Sequence, residues 1–198
     1  QSNMSGDEIK SIIPDVVSDL NYTTGLMENL LHWVKSQMSA ESTVPQCLDM
    51  HAIAEEVINV QQLQASSKNI AIHCAIPKKS TAYADRDMVK LVLRNLVSNA
   101  IKFTPADGKI TLQLKPEGSF CRVFVKDNGI GMDEETIERI SQNNYYSTNG
   151  TASESGTGLG LMLCKDFLSR NHGSLAIESK PGKGSTFSFL LPLKPEGD

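Results

Sequence analysis

A run of alternating glycines, Gly156–Leu161 (GTGLGL), limits the possible folds of this chain more than any other stretch. Its three glycines leave consecutive backbone N–H groups without side chains in front of them. The apolar periodicity that follows, roughly Leu159 to Arg170, predicts a helix whose positive N-terminus points at the same place. Exposed amides at a helix N-terminus are suited to bind phosphate, so the run predicts a phosphate cradle.

The run differs from two better-known phosphate loops. No Gly-Lys-Ser/Thr ends it, as a Walker loop requires, and residue 161 is Leu rather than the third glycine of the dinucleotide fingerprint. A glycine-rich linker has a similar composition. The run alone therefore leaves a phosphate cradle and a linker open.

Composition and charge narrow the class of protein. The 198 residues carry a formal net charge of -4, which argues against general binding of nucleic acid or anionic membranes. We find no signal peptide and no apolar run as long as a membrane span. The four cysteines lie far apart without a CxxC pair. They are expected to be reduced core thiols in a cytosolic protein, rather than metal ligands or a disulfide framework.

Residues 7–38 carry a heptad stripe of apolar side chains. Steps of three and four residues connect Ile13, Val16, Leu20, Thr23, Met27, Leu30 and Val34, and Thr23 is the one polar position of the stripe. This pattern predicts one long bundle helix, which needs partner helices to bury its stripe. We therefore divide the beginning of the chain into an expression remnant (1–4), this helical region (5–39) and a linker (40–46).

From residue 47 to 194 the pattern alternates between strands and helices. Strands are predicted at 48–50, 69–76, 81–84, 109–114, 120–126, 174–179 and 186–192. Helices are predicted at 51–67, with Ile53, Val57, Val60 and Leu63 on one face, and at 87–102 and 159–170. We expect an α+β fold: a two-layer sandwich with a mixed, mostly antiparallel sheet of about five strands covered by three helices, preceded by the bundle helix.

The segment Asp127–Gly131 (DNGIG) follows a predicted strand. Asn-Gly after a strand usually makes a hairpin turn. Here the next residues, 133–140, have an amphipathic helical pattern instead of a returning strand. Asp127 is therefore a candidate hydrogen-bond acceptor for a flat heterocycle.

Polar residues cluster toward one end of the helix predicted at 87–102. Asn95 and Asn99 lie four residues apart on one face, and Lys102 follows three residues later. An amide oxygen is a suitable ligand for Mg²⁺, and an ammonium group suits polyphosphate. A solvated polar face is the alternative. Residues 141–157 contain few apolar side chains, and their place beside the glycine run predicts a mobile lid.

Taken in order, these motifs resemble the catalytic ATP-binding domain of sensor histidine kinases, in the GHKL superfamily. The resemblance covers about 47–194, and residues 5–39 are similar to the second helix of the family's dimerisation and phosphotransfer bundle. The motifs are Asn95…Asn99…Lys102-Phe103-Thr104, Asp127–Gly131, Gly156–Leu161 and Gly182–Phe187.

The resemblance implies a role for each matching residue. Asn99 would ligate Mg²⁺, Asn95 and Lys102 would contact phosphate, and Asp127 would accept the adenine amino proton. The phosphates would be held by the amides of Gly156, Thr157, Gly158, Leu159, Gly160 and Leu161. The ring would be accommodated by Gly129, Gly131 and Thr186. Tyr145 and Tyr146 stand where the family usually has a lid phenylalanine, and Tyr146 is included among the nucleotide-binding residues.

The implied reaction transfers the γ-phosphoryl group of ATP to a histidine, for relay to an aspartate of a response regulator receiver domain. The family's acceptor is followed by an acidic residue, and none of the four histidines here is (His32, His51, His73 and His172). We therefore expect no autophosphorylation of these residues alone. The resemblance also implies a homodimer through the helical bundle, and we expect a cytoplasmic location, with a full-length parent that could be membrane-tethered. No contact with nucleic acid or membrane is expected from this part.

Two other functions stay open at this point. Related GHKL ATPases carry a glutamate where this chain has Asn95, and an amide cannot activate water as a base. A non-catalytic scaffold that binds nucleotide is the other alternative, because the lid departs from the family pattern.

Overall fold

The computed structural model describes residues 43–142, 150–152 and 158–194, together with the helical Met27. Apart from Met27, the predicted bundle helix lies outside the described residues. So does most of the predicted lid, including Tyr145, Tyr146, Gly156 and Thr157.

Seven strands and four helices form the described part of the chain. In chain order they are β1 (Pro45–Asp49), α1 (Met50–Ser67), β2 (Ala71–Ala75), β3 (Thr81–Asp85), α2 (Arg86–Phe103), β4 (Lys109–Glu117), β5 (Phe120–Asp127), α3 (Glu134–Ser141), α4 (Gly160–Arg170), β6 (Ser174–Lys180) and β7 (Gly184–Pro192). Every strand and helix predicted after residue 47 is present, with ends that differ by a few residues.

The strands form two sheets. The main sheet has the order β2-β4-β5-β7-β6, in which only β2 and β4 run parallel. Strands β1 and β3 form a separate antiparallel pair. The mixed, mostly antiparallel sheet of five strands confirms the predicted fold class.

Helices α1, α2 and α4 cover one face of the main sheet. Asp49 and Asp85 cap the first two, because each carboxylate accepts hydrogen bonds from backbone amides in the first turn. The core between the layers is built from alternate positions of the central strands, including Ile110, Leu112, Val123, Val125, Phe189 and Leu191. Helix α3 contributes no buried residue and lies at the rim.

The apolar face predicted for α1 is wrong in part. Ile53 and Val57 are buried, but Val60 is 67% and Leu63 84% exposed. The helix instead continues its buried stripe through Gln61 and Ala65. Ile53 and Val57 fit a stripe that continues through Val60 and Leu63 as well as one that continues through Gln61 and Ala65. Packing selects the second stripe, in which the small side chain of Ala65 is fully buried.

The four cysteines are free thiols, but the predicted core position is wrong for Cys47, which is exposed, and Cys74 is only half-buried. Two of them, Cys121 and Cys164, are buried in the core, and burial raises the pKa of Cys121 to about 11. Among the described helices, none is both long and apolar enough to cross a membrane.

The turn between β6 and β7 offers a matched test of the packing. Gly182 and Gly184 both have positive φ, +72° and +83°. A Cβ on Gly182 would meet nothing within 4 Å, whereas one on Gly184 would lie 2.1 Å from the Asp127 carbonyl oxygen. Gly182→Ala should therefore lose about 1–2 kcal/mol from backbone strain. Gly184→Ala should lose roughly 1–3 kcal/mol more from overpacking. Urea unfolding measures both, and equal losses would contradict the close approach.

Candidate functional site

The Asp127 carboxylate at the end of β5 is one end of the candidate site. It is only 4% exposed. Its Oδ1 accepts hydrogen bonds from the backbone N–H groups of Gly129 (2.8 Å) and Ser185 (3.1 Å). The bond to Gly129 makes a tight local turn instead of a hairpin. Both bonds use Oδ1, so Oδ2 is engaged by neither.

Burial sets the electrostatics of this carboxyl group. It raises the pKa of Asp127, and the two backbone hydrogen bonds only partly oppose the shift. A donor N–H directed at Oδ2 would stabilise the charged form further. The group is thus able to accept a hydrogen bond from a neutral N–H donor.

Glycines let the loop after Asp127 pack tightly against the C-terminal end of α2. A Cβ on Gly129 would lie 2.3 Å from the Phe103 carbonyl oxygen and 2.8 Å from Asp127 Oδ1. The same carbonyl accepts a hydrogen bond from the N–H of Ile130 (3.1 Å). Gly131 has φ +67°, and a Cβ there would lie 1.9 Å from the Lys180 carbonyl oxygen. Only glycine fits at either position.

The N-terminus of α4 is the other end of the site. Leu159, the N-cap residue of α4, makes no side-chain capping bond. Its side chain therefore does not compete with a ligand for the first N–H groups of the helix. A Cβ on Gly160 would lie 2.9 Å from Asn95 Oδ1. Asn95 Nδ2 donates to the Leu91 carbonyl (3.2 Å), which holds this amide in place. Gly158, with φ +68°, turns the chain into the helix.

Helix α2 connects the two ends. Asn95 touches Gly160, and Phe103 touches Gly129. These two positions are eight residues apart, or about 12 Å at 1.5 Å per residue. Asn99 lies one turn after Asn95 and one turn before Phe103. Its half-buried side chain takes part in no hydrogen bond within the described ranges. Lys102 Nζ lies 4.8 Å from the Phe103 ring centroid.

Asn99 thus lies one helical turn from Phe103, whose carbonyl contacts the loop that follows Asp127. The structure also brings Asn95, Gly158, Leu159 and Gly160 together at the second end, and Leu161 follows in the first turn of α4. The predicted residues Tyr146, Gly156 and Thr157 lie outside the described residues.

The register of β7 bears on the adenine contact predicted for Thr186. Its partners across the sheet are Lys126 and Glu178, which are exposed on the face away from the helices. Because side chains alternate along a strand, the preceding residue, Ser185, shares the Asp127 face. The Ser185 amide makes the contact with Asp127. An adenine contact by Thr186 stays a prediction that this register does not favour.

A tether between the lid segment and α2 was missed by the sequence reasoning. Thr151 donates from its N–H to the Lys102 carbonyl (3.0 Å) and from Oγ1 to the Thr104 carbonyl (3.0 Å). Lys68, after α1, donates from Nζ to Thr151 Oγ1 (2.6 Å) and to the Ile101 carbonyl (2.8 Å). A lysine at a helix C-terminus also complements the helix dipole. These contacts join residues up to 83 positions apart, so no local pattern signals them.

Lys165 anchors the C-terminal end of α3 in a similar way. From α4 its Nζ donates to the carbonyl oxygens of Ile140 (2.6 Å) and Ser141 (2.9 Å) at the end of α3. Partial burial lowers the pKa of this amine. The C-terminal end of α3 is therefore fixed beside α4.

Comparison with known proteins adds an independent finding. Residues 84–195 match the family model described as histidine kinase-, DNA gyrase B-, and HSP90-like ATPase. A relative from Synechocystis sp., the adaptive-response sensory kinase SasA, is 32% identical over 170 residues, which cover 85% of this chain and 44% of that protein. The chain spans less than half of the length of the first curated relatives it matches, 23% and 44%.

Solved structures share the fold. The catalytic domain of histidine kinase ThkA is 29% identical, with a TM-score of 0.67, and the match covers 77% of this chain and 97% of that domain. ThkA in complex with the response regulator protein TrrA matches 99% of this chain and 55% of that chain, with a TM-score of 0.74 and 24% identity. The latter likeness shows the fold alone.

The raised pKa of Asp127 predicts how stability changes with pH. Below the ordinary value of 3.8 the carboxyl group is protonated in the folded and unfolded states alike. As the pH rises, the unfolded state loses its proton first, so wild type should lose stability relative to Asp127→Asn until the folded-state pKa is passed. The asparagine keeps an oxygen for both backbone amides. Chemical unfolding at a series of pH values measures the difference, and a wild type that gains relative stability with rising pH would refute the assignment.

Proposed function

Because the chain belongs to the histidine kinase-, DNA gyrase B- and HSP90-like ATPase family, we propose that the cleft along α2 is its ATP site. Adenine lies against Asp127, and the triphosphate with Mg²⁺ lies between Asn99 and the N-terminus of α4. The observation that supports this most is the buried Asp127 carboxylate. Its Oδ1 accepts both backbone hydrogen bonds, from Gly129 and Ser185, and its Oδ2 accepts neither.

At the adenine end, Asp127 Oδ2 accepts the exocyclic amino N–H of the base. The backbone beside Gly129 and Gly131 has no side chains, so a flat ring can approach closely. A binding site built to pair one amino group discriminates strongly against bases that lack it, because the buried carboxylate would then stay unpaired. This favours adenine over guanine, which presents a carbonyl at the equivalent ring position.

At the phosphate end, the backbone amides from residue 156 to 161 and the dipole of α4 bind the negative charge. Asn95 lies against Gly160 and contacts phosphate or its bound water. Lys102, in the last turn of α2, supplies a positive charge for the phosphates.

The residues present also fit a magnesium ion. Mg²⁺ prefers oxygen ligands and usually keeps several waters while it binds one or two protein groups together with substrate phosphates. Asn99 lies one helical turn from both Asn95 and Phe103, and its side chain makes no hydrogen bond among the described residues, so its amide oxygen would be able to hold the ion. When bound, the ion would neutralise charge on the phosphates.

We further propose that the domain serves a kinase that transfers the γ-phosphoryl group to a histidine nitrogen, with ADP as the leaving group. The acceptor histidine is not one of the four in this sequence, so residues 1–198 alone do not phosphorylate themselves. ATP hydrolysis as the main reaction is disfavoured by Asn95, whose amide is bonded to Leu91 and cannot act as a general base.

The proposed partners follow from the same family. The histidine kinase ThkA has been solved with a response regulator protein, and we propose a receiver domain of that type as the partner that receives the phosphoryl group. Homodimerisation would use the helical region 5–39, whose heptad stripe needs partner helices. A cytoplasmic location suits both the ATP substrate and the free thiols.

Asp127→Asn tests the adenine contact. Loss of a hydrogen bond to a charged acceptor should weaken ATP binding by about 1.5–3 kcal/mol, or roughly 10- to 150-fold. Isothermal titration calorimetry with a non-hydrolysable ATP analogue measures the change. Asp87→Asn, the same substitution at an exposed position in the first turn of α2, is the matched control and should bind as wild type. Unchanged affinity in Asp127→Asn would remove the adenine assignment.

Asn99→Ala tests the metal ligand. Wild type should bind the analogue more tightly with Mg²⁺ than with excess chelator, because Asn99 would hold the ion and the ion would neutralise phosphate charge. In the variant the two affinities should become equal. Asn59→Ala, at an exposed position on α1, should keep the wild-type difference. Persistence of the Mg²⁺ effect in Asn99→Ala would contradict the ligand role.

A further inference from the structure

Three side chains that commonly bind transition metals meet where α1 packs on strand β2. His51 and Glu55 lie four residues apart in the first turns of α1, hence on one face of the helix. Cys74 lies on β2. One potential ligand atom from each lies within 4.8 Å of the others. Within the described ranges this is the one such group of three among His, Cys, Asp and Glu residues.

The cluster is separate from the nucleotide site. His51 lies at the beginning of α1, whereas Lys68, which touches the end of α2 beside the site, follows its last residue. These two positions are 17 residues apart, or about 25 Å along the helix. The proposed reaction uses none of the three side chains.

Contacts within the cluster hold the groups in place. His51 Nδ1 lies 2.7 Å from the Ile76 carbonyl oxygen. In the tautomer that donates this bond, Nε2 keeps its lone pair and would be the metal ligand, with the carbonyl behind the ring as a common support of metal sites. The contact with Cys74 is made by Nδ1, so a small movement of the ring or of the thiol has to bring Nε2 to the ion. Cys74 Sγ lies 3.9 Å from His51 Nδ1. Burial raises the pKa of the Cys74 thiol, and a hydrogen bond to Glu55 also raises it.

We propose that His51, Glu55 and Cys74 bind a divalent transition metal ion of the Zn²⁺ class. Imidazole, thiolate and carboxylate are the ligand types of such ions, whereas Mg²⁺ and Ca²⁺ prefer oxygen alone. The thiol proton passes to solvent when the sulfur–metal bond forms. Water occupies the fourth position of a tetrahedral ion with three protein ligands.

The separations are compatible with small adjustments. Bonds of about 2.0–2.3 Å place tetrahedral ligand atoms roughly 3.5 Å apart, so the widest separation allowed by the 4.8 Å limit would shrink by about 1 Å. All three residues are half-buried, which leaves their side chains room to move. The bound ion would tie the first turn of α1 to an edge strand of the main sheet and stabilise the folded state by mass action.

Cobalt(II) absorption tests the site on the whole chain, because Co²⁺ bound by a thiolate has a charge-transfer band in the near ultraviolet. Chain treated with chelator and then dialysed should develop this band up to an equimolar amount of Co²⁺. Zn²⁺ should displace it, and millimolar Mg²⁺ should not. Cys74→Ser should lose the band, and Glu55→Gln should weaken Co²⁺ binding by about 10-fold or more.

Two matched controls separate the site from adventitious binding. Cys47→Ser changes an exposed cysteine on β1, and His73→Gln changes the exposed histidine next to Cys74, on the opposite face of β2. Both should keep the band. Its absence in wild type, its persistence in Cys74→Ser or its loss in Cys47→Ser would overturn the proposal.

Thermal unfolding makes the outcome independent of the spectroscopic signal. Zn²⁺ should raise the melting temperature of wild type and of both controls, but not that of a folded Cys74→Ser. Affinity for the ATP analogue should be the same in wild type and Cys74→Ser, so a failed metal site leaves the proposed nucleotide function intact. A Zn²⁺-induced increase of equal size in Cys74→Ser would count against the site.

Discussion

The two hydrogen bonds on Asp127 Oδ1 hold the candidate site together. They connect the end of β5, the loop that packs on α2 and the start of β7. Gly129 and Gly184 allow these segments to approach closely, since a side chain at either would run into backbone atoms. The two main-chain amides stabilise the buried carboxylate through one oxygen. A donor on the other oxygen would stabilise its charged form further. The same few contacts thus position the loop and create the recognition group.

Much of the fold could be predicted because its signals are local. The periodicity of α2 and α4 and the alternation in β4, β5 and β7 are readable from sequence, and their order indicates an α+β sandwich. The buried face of α1 was predicted wrongly because Ile53 and Val57 fit two stripes equally well. Only packing against the neighbouring elements decides between Leu63 and Ala65.

The site was predictable where its residues are close in sequence and was missed where they are not. Asn95 and Asn99 share a helix face, and the glycines of the Asp127 loop follow it directly. In contrast, the contacts of Lys68 with Thr151, and of His51 with Cys74, depend on how distant elements pack. Ser185 was passed over for Thr186 because the motif does not show which residue of a strand faces the helices. The strand register does.

The account depends on one cleft that takes adenine at Asp127 and phosphate at the start of α4. Backbone and side-chain amide chemical shifts, recorded while a non-hydrolysable ATP analogue with Mg²⁺ is added, test this directly. We predict that the amides of Gly129, Ser185 and Gly160 and the side chain of Asn99 shift together along a single saturation curve. Saturation without these changes, with shifts centred instead on the exposed face of the sheet around Gln113 and Lys126, would contradict it.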